Sequence, residues 1–146
     1  MVATSDSTWL YCVELSSFPT GYTLLADSGA TLIYDATPEY GAEICEINGT
    51  GCDYPSQACF CDSSFWSYWL SSGTAWNFAS AGATCTPVAN GDVQGWMWGD
   101  GSTPPPFYTF EQICGTEARA KAPKARALER RPQRPHGARP AAQPKR

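Results

Sequence analysis

The sequence predicts a small α+β domain, mostly β with one short helix, held by disulfides and followed by a disordered basic tail. Three observations carry this. All seven cysteines and all nineteen aromatic residues lie before residue 115. The apolar stretches there are short and broken by Gly, Pro and Asn turns. The charge changes sign along the chain: residues 1–116 hold twelve acids and no Lys or Arg, whereas residues 117–146 hold ten basic residues and two acids. We therefore expect one domain at residues 8–115 and a disordered Ala/Pro/Arg-rich tail at 116–146.

Taken in order, Trp9–Leu15 is aromatic and β-rich and reads as a strand. Ser16–Gly21 breaks it. Tyr22–Asp27, followed by Ser28-Gly29, reads as a short helix with a glycine stop. Thr31–Tyr34 is a second strand, and Asp35–Gly41, with Pro38, a loop. Ala42–Ile47 alternates small or apolar residues with acids, as a half-exposed strand does. Residues 48–64 hold three cysteines, Pro55 and several turn formers, and read as an irregular loop stapled by bridges. Phe65–Leu70 is a strand with aromatics on both faces, and Trp76–Ala79 pairs with it. Asn90-Gly-Asp92 is a tight turn, since Asn and Gly accept positive φ. Val93–Trp98 follows as a strand, Asp100–Pro106 as a stiff loop, and Phe110–Cys114 closes the domain. The tail has Leu128 as its only large aliphatic residue. It cannot bury enough apolar surface to offset chain entropy. Three origins fit it: a flexible linker folding back on the acidic body, a surface-anchoring arm, or an out-of-register translation of GC-rich DNA.

The cysteines are Cys12, Cys45, Cys52, Cys59, Cys61, Cys85 and Cys114. Their density points to a disulfide scaffold and an oxidising compartment. Zinc is the rival, with Cys45, Cys52, Cys59 and Cys61 as thiolates. Their spacing lacks the paired CxxC knuckles by which one tight turn presents two sulfurs. We expect Cys52–Cys59, Cys45–Cys61 and Cys12–Cys114, with Cys85 left over, although spacing alone does not determine connectivity.

A body without basic residues repels nucleic acid and anionic membrane at long range. No apolar run reaches the ~18 residues of a membrane span. Met1–Leu10 has neither the basic nor the apolar region of a signal peptide. The one histidine, His136, lies in the tail, so a cysteine nucleophile in the body has no imidazole partner. Glu43, Glu46 and Asp92 are the candidates for a glycosidase pair, but nothing in their spacing sets two carboxylates across a cleft. They read as surface charges. Asp92 and Asp100 lie in no DxDxDG calcium loop. We expect no enzyme activity, no cofactor and no metal.

The aromatic residues are the candidate binding set. Positions two apart on a strand share a face, so Trp66 and Tyr68 point one way and Trp69 the other, while Trp96 and Trp98 share a face. If the two strands pair, Trp66, Tyr68, Trp96 and Trp98 form a strip of rings able to hold sugars or planar macrocycles. The bland alternative is that this face fills the core.

The run Cys45, Gly49-Thr-Gly-Cys52, Cys59-Phe-Cys61, Phe65-Trp-Ser-Tyr-Trp69, Gly95-Trp-Met-Trp-Gly99 and Ile113-Cys114 resembles a cysteine-rich bacterial domain family of uncharacterised function. Its aromatic strand, (D/N)-G-D turn and TGYTLLADSG helix also resemble the C-terminal β-grasp domain of transcobalamin and intrinsic factor. Coverage is roughly residues 8–115. The resemblance implies a β-grasp-like fold and a non-catalytic ligand-binding module, with a corrinoid or another flat organic molecule as ligand. A carbohydrate-binding module and a structural or protein-contact domain are the alternatives. It implies an extracellular or cell-surface location. A signal peptide before the domain and an anchor after it are absent from this chain, so a truncated start and an altered end are expected. We expect a monomer.

Overall fold

The structure, a computed structural model, describes residues 1–121, with side chains described through Gly115. Its elements are β1 (Val2–Ala3), β2 (Thr8–Trp9), α1 (Gly21–Asp27), β3 (Leu32–Asp35), β4 (Glu43–Ile47), β5 (Thr50–Gly51), β6 (Phe65–Ser71), β7 (Trp76–Phe78), a short 3-10 turn at Ala83–Cys85, β8 (Gln94–Gly99) and α2 (Phe110–Lys121). A five-stranded sheet runs β2-β1-β8-β6-β7, and a three-stranded sheet runs β3-β4-β5. In the larger sheet β1 and β8 are parallel neighbours. An antiparallel hairpin flanks them on each side, β1-β2 and β6-β7. A hairpin, a crossover helix, a second hairpin and a last strand laid parallel beside the first is β-grasp connectivity. The smaller sheet is an insertion between α1 and β6.

Local chemistry explains the elements. Thr20 caps α1: its Oγ1 accepts from the Thr23 amide at 3.2 Å, and Thr23 Oγ1 accepts from the Thr20 amide at 2.8 Å. Such reciprocal bonds satisfy amides that the first turn leaves unpaired. Ser28 stops the helix by donating to the Leu25 carbonyl at 2.6 Å. The long strands β6 and β8 are rich in aromatics, which suit a pleated, half-buried surface.

Several expectations are corrected. Trp9–Leu15 is not one strand: only Thr8–Trp9 pairs, and residues 10–15 run as irregular chain. Met1–Ala3 lies ahead of the expected domain start at residue 8, yet it is buried beside β8. There the Met1 nitrogen donates to the Gln94 carbonyl at 2.7 Å. Phe110–Cys114 opens a second helix. Its cap, Thr109-x-x-Gln112, is legible as a capping box: Gln112 N donates to Thr109 Oγ1 at 3.3 Å, and Thr109 N to Gln112 Oε1 at 2.7 Å. Gly115, at φ 71°, interrupts α2. The tail reading of residues 122–146 lies outside the described residues.

The core joins Val2, Leu25, Ile44, Ile47, Trp66, Tyr68, Ala83 and Trp96. One face of the large sheet is thus covered by α1 and by β4. On the other face Trp69 is buried, and Gly95 leaves room for Pro105 and Trp76 to approach the backbone.

Candidate functional site

The structure brings the four expected binding rings together. Trp66 lies opposite Trp98 in the β6-β8 register, and Tyr68 opposite Trp96. The ring centroids are 5.6 Å and 4.8 Å apart. The strip is not an open platform, however. Trp66, Tyr68 and Trp96 are buried, and Trp98 is half-buried against the core. The Trp66 indole donates to the Thr50 carbonyl at 2.9 Å, and the Tyr68 hydroxyl to Gln94 Oε1 at 2.7 Å. Burial raises the Tyr68 phenol well above its usual range. The physical reason for the correction is that α1 and the inserted sheet need an apolar surface, and Leu25, Ile44 and Ile47 find it on these rings.

The bridges are also corrected. Cys12 bonds Cys114, but Cys45 bonds Cys59 and Cys52 bonds Cys61, in place of Cys45–Cys61 and Cys52–Cys59. The β4-β5 hairpin sets Cys45 and Cys52 side by side, with the Cys52 amide donating to the Cys45 carbonyl at 2.9 Å. The returning chain reaches Cys45 first and Cys52 two residues later, so the bonds interleave. With six sulfurs paired, the four thiolates of the zinc alternative are consumed. Cys85 is free and exposed.

Beside the buried rings lies a groove of about 390 Å³. Edges of Trp66, Tyr68 and Trp96 contribute to its lining, along with Phe65. Its exposed aromatics are Tyr40, Phe60 and Phe78, which are 64%, 60% and 52% exposed. Each is placed by a distinct device. Phe60 sits between Cys59 and Cys61, so one bridge on either side clamps it. Phe78 is carried by β7 and packs edge-on to Trp69, with centroids 5.1 Å apart. Tyr40 is tied across the groove wall. Its carbonyl accepts from the Gly82 amide at 3.1 Å, and the Ala42 amide donates to Thr84 Oγ1 at 3.1 Å. A side chain at Gly82 would strike the Tyr40 carbonyl, so glycine permits this close approach. The facing run Ala79-Ser-Ala-Gly-Ala83 is small throughout and leaves the groove open.

Glu43 is the one carboxylate lining the groove, and the Tyr40 hydroxyl donates to its Oε1 at 3.2 Å. The adjacent negative charge is the main cause that raises the Tyr40 phenol. Of the other acids singled out above, Asp92 accepts from the Ala89 amide at 2.8 Å, and Asp100 from the Ser102 amide and hydroxyl at 2.9 and 2.6 Å. Asp92 lines a different hollow, of about 820 Å³, between residues 11–15, α1, residues 88–94 and the start of α2. Glu43 and Asp92 therefore do not face one another. Among the described residues no three His, Cys, Asp or Glu side chains gather as a metal site.

Sequence reasoning missed Tyr40, Phe60 and Phe78. The signal for Phe60 was present in Cys59-Phe-Cys61: a ring between two bridged cysteines has little freedom to turn inward. The larger hollow lacks such a rim. Exposed rings clustered at one concave place are the stronger pointer to a ligand.

Residues 60–145 match the SCO2322-like domain. No curated protein and no solved structure matches the chain.

Proposed function

The chain belongs to the SCO2322-like domain family, and we propose that it is a non-catalytic binding module that holds a small organic molecule in the aromatic groove. One observation carries this reading: three exposed aromatic rings, one of them locked between two disulfides, surround a groove whose lining includes buried indoles. Exposing such rings to water has a free-energy cost that a ligand would recover. Rings already fixed in place lose little entropy on binding. Three disulfides favour an oxidising location, extracellular or on a cell surface. No described helix is long and apolar enough to cross a membrane. We take the module to act as a monomer.

Within this reading the ligand offers a flat apolar face. A corrinoid has such a face, as the transcobalamin-like resemblance implies, but a corrin is larger than this groove, so only part of it would be covered. A carbohydrate is the second reading, favoured by Tyr40 and Phe60, whose exposure leaves ring surface for a sugar to stack on.

Indole fluorescence tests the choice, because Trp66 and Trp96 border the groove. Quenching by cobinamide supports the corrinoid reading, and a shift with cellotetraose the carbohydrate reading. Phe60→Ala and Phe78→Ala should each weaken binding about tenfold while costing no more than about 2 kcal/mol of stability, since each ring is more than half exposed and gives up one aromatic contact, to Phe65 and to Trp69 respectively. Unchanged affinity in both variants overturns the groove as the site. Indifference to small ligands of every class points instead to a structural or protein-contact role.

A further inference from the structure

We propose that the groove selects an organic cation, a quaternary ammonium or similar soft cation carried on an apolar body; this rests on the groove being a ligand site. Three features of the molecule converge on that chemistry. The groove is bordered by the rings of Tyr40, Phe60, Phe65, Phe78 and Trp66. Aromatic faces carry negative quadrupole density, which attracts a diffuse cation and offers nothing comparable to an anion. Glu43 stands among these rings and is held by the Tyr40 hydroxyl at 3.2 Å, so a full negative charge borders the same space. Lastly, residues 1–116 hold twelve acids and no Lys or Arg. The field of the whole body thus draws cations in and repels carboxylates and phosphates.

The same features discriminate among cations. A hard metal ion asks for several oxygen ligands at short range, and one carboxylate with one phenol does not supply them. A quaternary ammonium has no N–H groups to satisfy, tolerates apolar walls and spreads its charge over methyl groups. At about 390 Å³ the groove has room for the ammonium head and an attached apolar group. Phe60, clamped at the rim, and Phe78, held by β7, present their rings without needing reorganisation.

The test uses the full chain, ¹⁵N-labelled, with NMR shifts of the Trp66 indole N–H and the Ala81–Ala83 amides as readout. The probes are choline, its neutral isostere 3,3-dimethylbutan-1-ol, and indole as a flat neutral ligand. Choline should bind at least fivefold more tightly than the isostere. Glu43→Gln should erase most of that difference without altering indole binding. Raised salt should weaken choline alone. Equal affinity for choline and its isostere, or an unchanged choline affinity in Glu43→Gln, overturns the inference. Binding of indole without choline overturns it too and leaves the groove reading standing. Shifts from none of the three probes remove both.

Discussion

At the scale of single residues, the aromatic side chains divide into two kinds that composition does not separate. Trp66, Tyr68 and Trp96 are core residues with satisfied neighbours, whereas Tyr40, Phe60 and Phe78 are displayed. The difference is measurable. Tyr68→Phe leaves the buried Gln94 Oε1 without its donor and should cost about 1–3 kcal/mol in urea unfolding, the desolvation penalty of an unpaired buried acceptor. A stability within experimental error of wild type would show that Gln94 finds another partner. The periodicity of FWSYWLS told which rings share a face, and the register agrees residue by residue. It did not tell which face is wet, because that depends on what packs against it. Gly21 shows the dependence from the other side. A Cβ there would meet the Tyr68 hydroxyl, so α1 lies close enough to the strip to seal it.

At the scale of elements, the strongly patterned segments were legible and the short ones were not. The helix at Tyr22–Asp27, the aromatic strand at 65–71 and its partner at 76–78 stand where propensity and turn residues place them. The strands β1, β2 and β5 are two residues each. Their pairing depends on a neighbour far along the chain, so no local pattern announces them. Residues 10–15 looked like a strand because they are apolar and aromatic, but Cys12 is bonded to Cys114 and the segment runs without a ladder partner. That bridge ties the segment after β2 to α2, one residue ahead of the interruption at Gly115. Its loop has a sequence separation of 102 residues. Replacing both Cys12 and Cys114 with Ser should lower stability by about 4–5 kcal/mol on the chain-entropy model. Equal denaturation midpoints for variant and wild type would mean that α2 is held by its other contacts alone.

At the scale of the whole molecule, the β-grasp sheet supplies the buried rings and the inserted sheet supplies the clamp. Cys45–Cys59 and Cys52–Cys61 join the β4-β5 hairpin to the loop that carries Phe60. A variant with Cys45, Cys52, Cys59 and Cys61 all replaced by Ala, which keeps Cys12–Cys114, should therefore release the rim while the large sheet stays folded. Binding of whichever probe occupies the groove should fall about tenfold, while the near-ultraviolet signal of the buried tryptophans persists. Loss of both signals together would show that the bridges hold the entire fold. The acidic balance also acts at this scale, since the preference for a cation draws on all twelve acids of residues 1–116 as well as on Glu43.

The sequence by itself determined the class of the fold, the disulfide chemistry, the negative field and which rings share a face of each aromatic strand, because each follows from residue type or from spacing along one element. Only the tertiary structure decided which cysteine meets which, which rings are buried, and where the exposed ones gather. Those outcomes depend on contacts between segments far apart in the chain: the hairpin that aligns Cys45 with Cys52, the helix that covers Tyr68, and the Gly82–Tyr40 contact that shapes the groove wall.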